Sequence, residues 1–215
     1  MKGQPKFQPE CIYHIFNHAN GKENLFESDE NYVYFLKKYL KKLDGVVTTL
    51  SNCLMPNHFH LLIKIRDSDE LEGFLQAKKQ RIKTLFIPKE LTQEKLYNFI
   101  VGRQFHNFLG GYAKAFNKFH NRKGSLMRQN TRRKIIADEN YLVNAIMYIH
   151  LNPVLHGFTS HPEEWPFSSY HAFLYDSKTK IPRKLILDWF GSDKRNFIDL
   201  HENKLKDSLN PDWET

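Results

Sequence analysis

A chain of 215 residues, 40% hydrophobic and 26% charged, is long enough for a core of its own and too apolar for disorder. Two cysteines, Cys11 and Cys53, are too few for a disulfide scaffold and fit a reducing compartment; no apolar run approaches the roughly 18 residues of a membrane span. The basic start leads into no apolar signal-peptide stretch, so the expectation is a cytoplasmic protein without a membrane partner and with a net charge of +8.

Residues 11–17 are aromatic and β-branched and predict a first strand. Ser28-Asp29-Glu30 then offers a cap and first-turn acids. Tyr32, Phe35, Leu36, Tyr39, Leu40 and Leu43 follow at helical spacing, and Gly45 closes the run. Residues 46–54 and 58–65 predict two strands joined by turn chemistry at Met55-Pro56-Asn57, hence an antiparallel hairpin. Residues 67–99 predict a helical excursion interrupted by Pro88. Phe105, Phe108, Leu109, Tyr112, Phe116 and Phe119 then keep helical spacing through Gly110-Gly111, a pair expected to weaken that helix. Residues 126–136 predict an extended segment. Asp138 opens a last core helix with Leu142, Ala145, Ile146 and Ile149 on one face, expected to end at Asn152-Pro153. The order of elements predicts an α+β fold with helices on an antiparallel sheet.

The charge is concentrated. Residues 95–137 contain no acid and carry +10, from Lys95, Arg103, Lys114, Lys118, Arg122, Lys123, Arg128, Arg132, Arg133 and Lys134, so the rest of the chain is slightly acidic. Tyr97, Phe99, Phe105, Phe108, Tyr112, Phe116 and Phe119 run through the same window. Cations interleaved with rings fit a single-stranded nucleic acid, with phosphates on Lys/Arg and bases on aromatic planes. They equally fit a solvated helix face followed by a basic loop.

Two constellations bear chemistry. Alternation along a strand puts His58 and His60 on one face, about 6.6 Å apart at Cα, with Phe59 on the other. Two imidazoles so placed can share a metal ion, although a bare H-x-H more often marks half-exposed strand histidines. The two cysteines stand at no zinc-finger spacing from them. On the last helix Tyr141, Asn144, Tyr148 and Asn152 form a stripe beside the apolar face, and Tyr148 and Asn152 are neighbours one turn apart. A phenol is a poor nucleophile at neutral pH but becomes useful on a phosphodiester polarised by a metal. A tyrosine at a core margin, with Asn152 capping the helix, is the plainer alternative.

These pieces occur in an order that resembles the REP-associated tyrosine transposases, single-tyrosine HUH transposases of bacterial insertion sequences. The residues that carry the likeness begin with Tyr13-His14, Leu25-Phe26 and the run from Met55 through His58-Phe59-His60 to Leu62. Asn121-Arg122-Lys123-Gly124-Ser125-Leu126, Tyr148-Ile149-His150-Leu151-Asn152-Pro153-Val154 and Trp165-Pro166-Phe167-Ser168-Ser169-Tyr170 complete it. The resemblance runs over about residues 10–175. It implies a ferredoxin-like sheet with both histidines on a central strand, a catalytic domain over residues 1–175 and a helical C-terminal extension over 176–215.

It further implies a divalent ion, Mg²⁺ or Mn²⁺, on His58, His60 and Asn152. Tyr148 would be the nucleophile that cleaves single-stranded or hairpin DNA through a 5′-phosphotyrosine intermediate, with rejoining in a second strand-transfer step. The chemistry of two imidazoles and an amide oxygen fits Zn²⁺ or Mn²⁺ as well. Lys114, Lys118, Arg122, Lys123, Arg128, Arg132, Arg133 and Lys134 are the expected DNA contacts. His18 stands where relatives are expected to carry arginine, which leaves that contact open. A non-catalytic hairpin-binding protein is the competing reading, and monomer and homodimer are both left open.

Overall fold

The computed structural model describes residues 4–81 and 91–206. The Pro88 interruption and the tail beyond residue 206 lie outside these described residues. Among them the chain forms β1 (Ile12–His18), α1 (Asp29–Leu43), β2 (Val47–Met55), β3 (His58–Ile65), α2 (Ser68–Arg81), α3 (Gln93–Phe119), β4 (Arg132–Ile136) and α4 (Glu139–Leu155). A 3₁₀ turn (Pro162–Glu164), α5 (His171–Leu174), α6 (Arg183–Asp188) and α7 (Lys194–Lys206) follow.

The strands pair antiparallel in the order β2-β3-β1-β4. This is the ferredoxin-like arrangement: α1 and α3 are the two crossovers, and β3 and β1 occupy the centre. Phe59, Leu61, Ile63 and Ile65 of β3, with Tyr13 and Ile15 of β1, join α1 and α3 in one core. Leu62 of β3 joins α4 and the C-terminal segment in a second core on the opposite face. The sheet is therefore covered on both sides, which explains why β3 reads as a nearly continuous apolar run.

A bulge near Leu50 lets β2 serve both cores. The register passes from Thr49 opposite Ile63 to Ser51 opposite Leu62. One extra residue reverses the alternation. Val47 consequently belongs to the α1 side and Thr49 meets Tyr39 there at 2.6 Å, while Leu50, Cys53 and Met55 belong to the α4 side.

Three sequence expectations change. The excursion ends at Gln93 rather than at residue 99, because α3 is a single helix to Phe119 that runs unbroken through Gly110-Gly111. Its weak point is offset by tertiary packing of Val101, Phe105, Phe108, Tyr112 and Phe116. Helix α4 continues through Pro153 to Leu155. It closes beyond with Gly157 at φ 71°, the N–H of Phe158 bonding back to the carbonyl of Pro153 at 2.8 Å. Third, most aromatics of the basic window are core: Tyr97, Phe105, Phe108, Tyr112 and Phe116 are buried, and Phe119 stands out at 78% exposure. They pack α3 into the core it shares with α1 and the sheet, for example Phe108 against Phe35 of α1 at 4.7 Å, and are not a stacking platform for bases.

Helix α4 is buried on nearly every side from Ala145 to Pro153 because α6 and α7 cover its outer face with Ile186, Phe190 and Phe197. A proton-ordered chain ties these layers together. His201 Nδ1 donates to the Phe197 carbonyl at 2.7 Å, so its Nε2 must accept from His150 Nδ1 at 3.0 Å. His150 Nε2 is then left as an acceptor for the hydroxyl pair beside it, Ser169 at 2.8 Å and Ser51 at 3.0 Å, which also bond each other at 3.2 Å. Both imidazoles are neutral. Burial pulls His201 down to about 4 and holds His150 well below its ordinary value.

Below pH 6.5 the unfolded chain binds the proton that folded His201 refuses. The contribution is thus fully present above pH 6.5 and fades as the pH falls toward 4. Urea midpoints should drop between pH 7.5 and pH 5, His201 alone accounting for about 2 kcal/mol, and His201→Gln should flatten that slope. A pH-independent midpoint would contradict the buried neutral chain.

Candidate active site

Alternation on β3 turns His58 and His60 toward α4, and alternation on β1 brings His14 and Phe16 to the same face; the register sets Phe16 opposite His60 and His18 opposite His58. Helix α4 presents Tyr148 and Asn152 to them from above. His58, His60, His14, Tyr148 and Asn152 are all buried, the last two at 2% and 0% exposure. Tyr148 is thus deeper than the core-margin position its helical stripe suggested, because its ring is enclosed between α4 and the His14/His60 face of the sheet.

The histidines are held at their Nδ1 atoms. His58 Nδ1 lies 2.7 Å from Asn57 Oδ1, and His60 Nδ1 lies 2.9 Å from His14 Nε2. His58 Nε2 is 2.9 Å from Asn152 Oδ1. The two imidazoles stand edge to face, 5.1 Å between centroids. The Tyr148 ring meets His60 edge-on at 5.5 Å and His14 at 6.3 Å. His18 stacks on His58 at 4.7 Å, and His156 packs against it at 4.9 Å. Desolvation lowers His60 well below its ordinary value and His14 to about 3, so both are neutral.

This donor set suits a divalent ion in one respect. If neutral His58 donates from Nδ1 to Asn57, its Nε2 lone pair faces the Asn152 amide 2.9 Å away, and the imidazole nitrogen and the amide oxygen can then ligate one cation. The same separation is taken by donors at adjacent corners of a coordination sphere with bonds of about 2.1 Å. The amide nitrogen of Asn152 is buried and makes no hydrogen bond to the described residues. Among the described residues, however, no three His, Cys, Asp or Glu side chains form a metal-binding group. Protein donors are therefore limited to the two imidazoles and the amide, and further positions would fall to water or substrate oxygens.

The basic window divides. On β4, Lys134 opposite His14 and Arg132 opposite Phe16 share the histidine face, whereas Arg133, opposite Ile15, points to the α3 side. Arg133 is half-buried over the Phe7 ring and donates to the Pro5 carbonyl. Arg122 pairs with Glu23 and donates to the Gly124 and Ser125 carbonyls. Both guanidinium groups thus hold chain segments in place. Lys114, Lys118, Lys123, Arg128 and Arg132 are exposed. Lys114, Arg128 and Arg133 border a cavity of about 630 Å³ between α3 and the 124–131 segment, on the face away from Tyr148. The +10 window is consequently two surfaces around the β4 edge, not one.

His14, Asn57, His18 and His156 join the site without having been singled out as site residues by the sequence. His14 and His18 arrive through the β1–β3 pairing, whereas Asn57, next to His58 in sequence, and His156, one helical turn after Asn152, carry a local signal.

No family model matches the chain. It is 28% identical over 144 residues, 67% of each chain, to a Haemophilus influenzae protein assigned by name to the REP-associated tyrosine transposases. A solved REP-associated tyrosine transposase bound to a REP hairpin has a similar fold, with a TM-score of 0.52 and 13% identity over 81% of this chain and 85% of that one. No helix of the described residues is long and apolar enough to cross a membrane. The ordered motifs and the sequence relative agree, and the fold is the one they imply: the chain is similar in sequence to a protein named as a REP-associated tyrosine transposase and similar in fold to a solved one.

Proposed function

We propose that the protein is a divalent-metal-dependent endonuclease and strand transferase for single-stranded, hairpin-bearing DNA. The carrying observation is the meeting of Tyr148 from α4 with His60 from β3, while Asn152 of α4 lies within hydrogen-bond reach of His58. A solved relative in complex with a hairpin supports the choice of partner.

In this reading the Tyr148 hydroxyl oxygen attacks the scissile phosphorus. A phosphotyrosyl bond forms at the 5′ side, the bond to the 3′-oxygen breaks, and that oxygen takes up a proton in exchange for the one the phenol loses. His58, His60 and Asn152 are the residues that would hold a divalent cation, whose chemistry there would be Lewis-acid polarisation of the scissile phosphate. Asn57 holds the His58 ring in orientation through the contact at its Nδ1. Attack by a free 3′-hydroxyl on the phosphotyrosine reverses the exchange and rejoins the strand without an external energy source.

Incubating the protein with a labelled single strand carrying a hairpin, in Mn²⁺ or Mg²⁺, should yield a covalent protein–DNA adduct that survives denaturation. Failure across divalent ions, with tight binding retained, would favour the second reading, a non-catalytic hairpin binder. The deep burial of Tyr148 is the observation on that side.

Arg132 and Lys134 flank the histidine face and are read as phosphate contacts beside the scissile bond. Arg132→Ala should weaken hairpin binding and reduce the slope of log affinity against log salt by about 1. An unchanged slope would place Arg132 away from DNA. Arg122→Ala, by contrast, should lower the melting temperature through loss of the 124–125 loop anchor.

A further inference from the structure

His14 has no role in the proposed chemistry as so far described, yet it is buried and touches both halves of the site. Its Nε2 lies 2.9 Å from His60 Nδ1, and the two rings stack at 5.0 Å and 26°. The Tyr148 ring stands edge-on to this stacked pair, at 77° to His14 and 82° to His60. His14 Nδ1 is buried and makes no hydrogen bond to the described residues. An imidazole in that state carries a desolvation cost that a phenyl ring of similar size would avoid. Packing alone therefore gives no reason for histidine at this position.

We infer that His14 is a positioning residue: its Nε2 accepts the Nδ1 proton of His60, so that His60 turns a bare Nε2 toward the metal position, while the stacked pair sets the distance to Tyr148. The hydrogen bond between the two rings admits two proton arrangements, since either nitrogen can donate. If His14 donates from Nε2, His60 must carry its own proton on Nε2 and is closed to a metal. If His60 donates from Nδ1, its Nε2 lone pair is open. A ligating histidine is commonly oriented by such a hydrogen bond at its other nitrogen, and loss of the partner typically costs 10–100-fold in metal affinity. Asn57 performs the same task for His58, by an amide oxygen that can only accept. The chain thus uses an obligate acceptor for one ligand and a two-state acceptor for the other.

The inference rests on the metal reading of His58 and His60, and its test separates the two. Imidazole ¹⁵N NMR on the metal-free wild type should show His60 protonated at Nδ1 and bare at Nε2; the opposite tautomer overturns the inference without any variant. His14→Phe should lose that preference and bind Mn²⁺, titrated alone by calorimetry, 10–100-fold more weakly at an unchanged melting temperature. His14→Gln, whose amide oxygen can accept from His60, should recover most of the affinity. Wild-type Mn²⁺ affinity in His14→Phe would also overturn the inference. If Mn²⁺ binding does not depend on His60 at all, the metal reading falls, and the ¹⁵N tautomer still decides whether His14 orients His60.

Discussion

Tyr148→Phe should abolish the covalent protein–DNA adduct while leaving hairpin affinity within about threefold of wild type. The substitution removes one oxygen from a side chain at 2% exposure and keeps the ring that packs against His14 and His60. Its effect on stability should stay within about 1 kcal/mol, the usual net worth of a single hydrogen bond. The effect on cleavage should be total, since a phosphotyrosyl bond cannot form without the phenol oxygen. Denaturing electrophoresis of labelled DNA reads the adduct, and filter binding reads affinity. An adduct that persists in Tyr148→Phe would move the nucleophile elsewhere; Tyr141, three residues after the Asp138 cap of α4, is the tyrosine of the same helix to try next. An adduct lost together with binding would make Tyr148 a structural residue, which its burial would then explain.

The burial itself carries a consequence. A phenol enclosed between α4 and the sheet cannot reach a phosphodiester until DNA opens a path to it. The rings of His18 and His156 form the rim over His58. Helix α4 is a poor candidate to move, because its middle is clamped by the Ser51–His150–His201 chain and the apolar residues of α6 and α7.

What could be read from the sequence depended on the range of each interaction. That His58 and His60 share a face follows from period-2 alternation, that Tyr148 and Asn152 are neighbours follows from a one-turn spacing, and α1 follows from a clear 3.6-residue stripe; these are local rules, whereas the roles expected of the four residues come from the family resemblance. The sheet order placed His14 beside His60, and only pairing across 46 residues could establish that. The bulge near Leu50 escaped for a related reason: it shows only in the partner strand's register. Proline and glycine signals misled where tertiary packing overrode them, at Pro153 in α4 and Gly110-Gly111 in α3. The aromatic residues of the basic window misled differently. Rings at helical spacing serve a core and a stacking surface equally well, and only the sheet on which α3 lies decides between them.

His58→Ala and His60→Ala should each cut adduct formation by three orders of magnitude or more, and largely spare hairpin binding. The argument is geometric and electrostatic. Developing charge on the scissile phosphate is met in this reading by a cation held through two imidazoles, and removal of either leaves one imidazole and an amide, too few for a firmly placed ion. The two variants should differ in stability. His60 lies at the sheet centre between Cys53 and Phe16, so truncation there leaves a cavity and should cost about 2–4 kcal/mol. His58 lies at the hairpin end under His18 and His156, where those rings can close the gap, and should cost less. Adduct yield, Mn²⁺ calorimetry and thermal melting on the same samples separate the contributions. Loss of hairpin affinity in both variants would recast the pair as structural. Retained cleavage in either would remove that histidine from the metal reading, leaving Tyr148 to act through the cations of β4, Arg132 and Lys134, which share its face of the sheet.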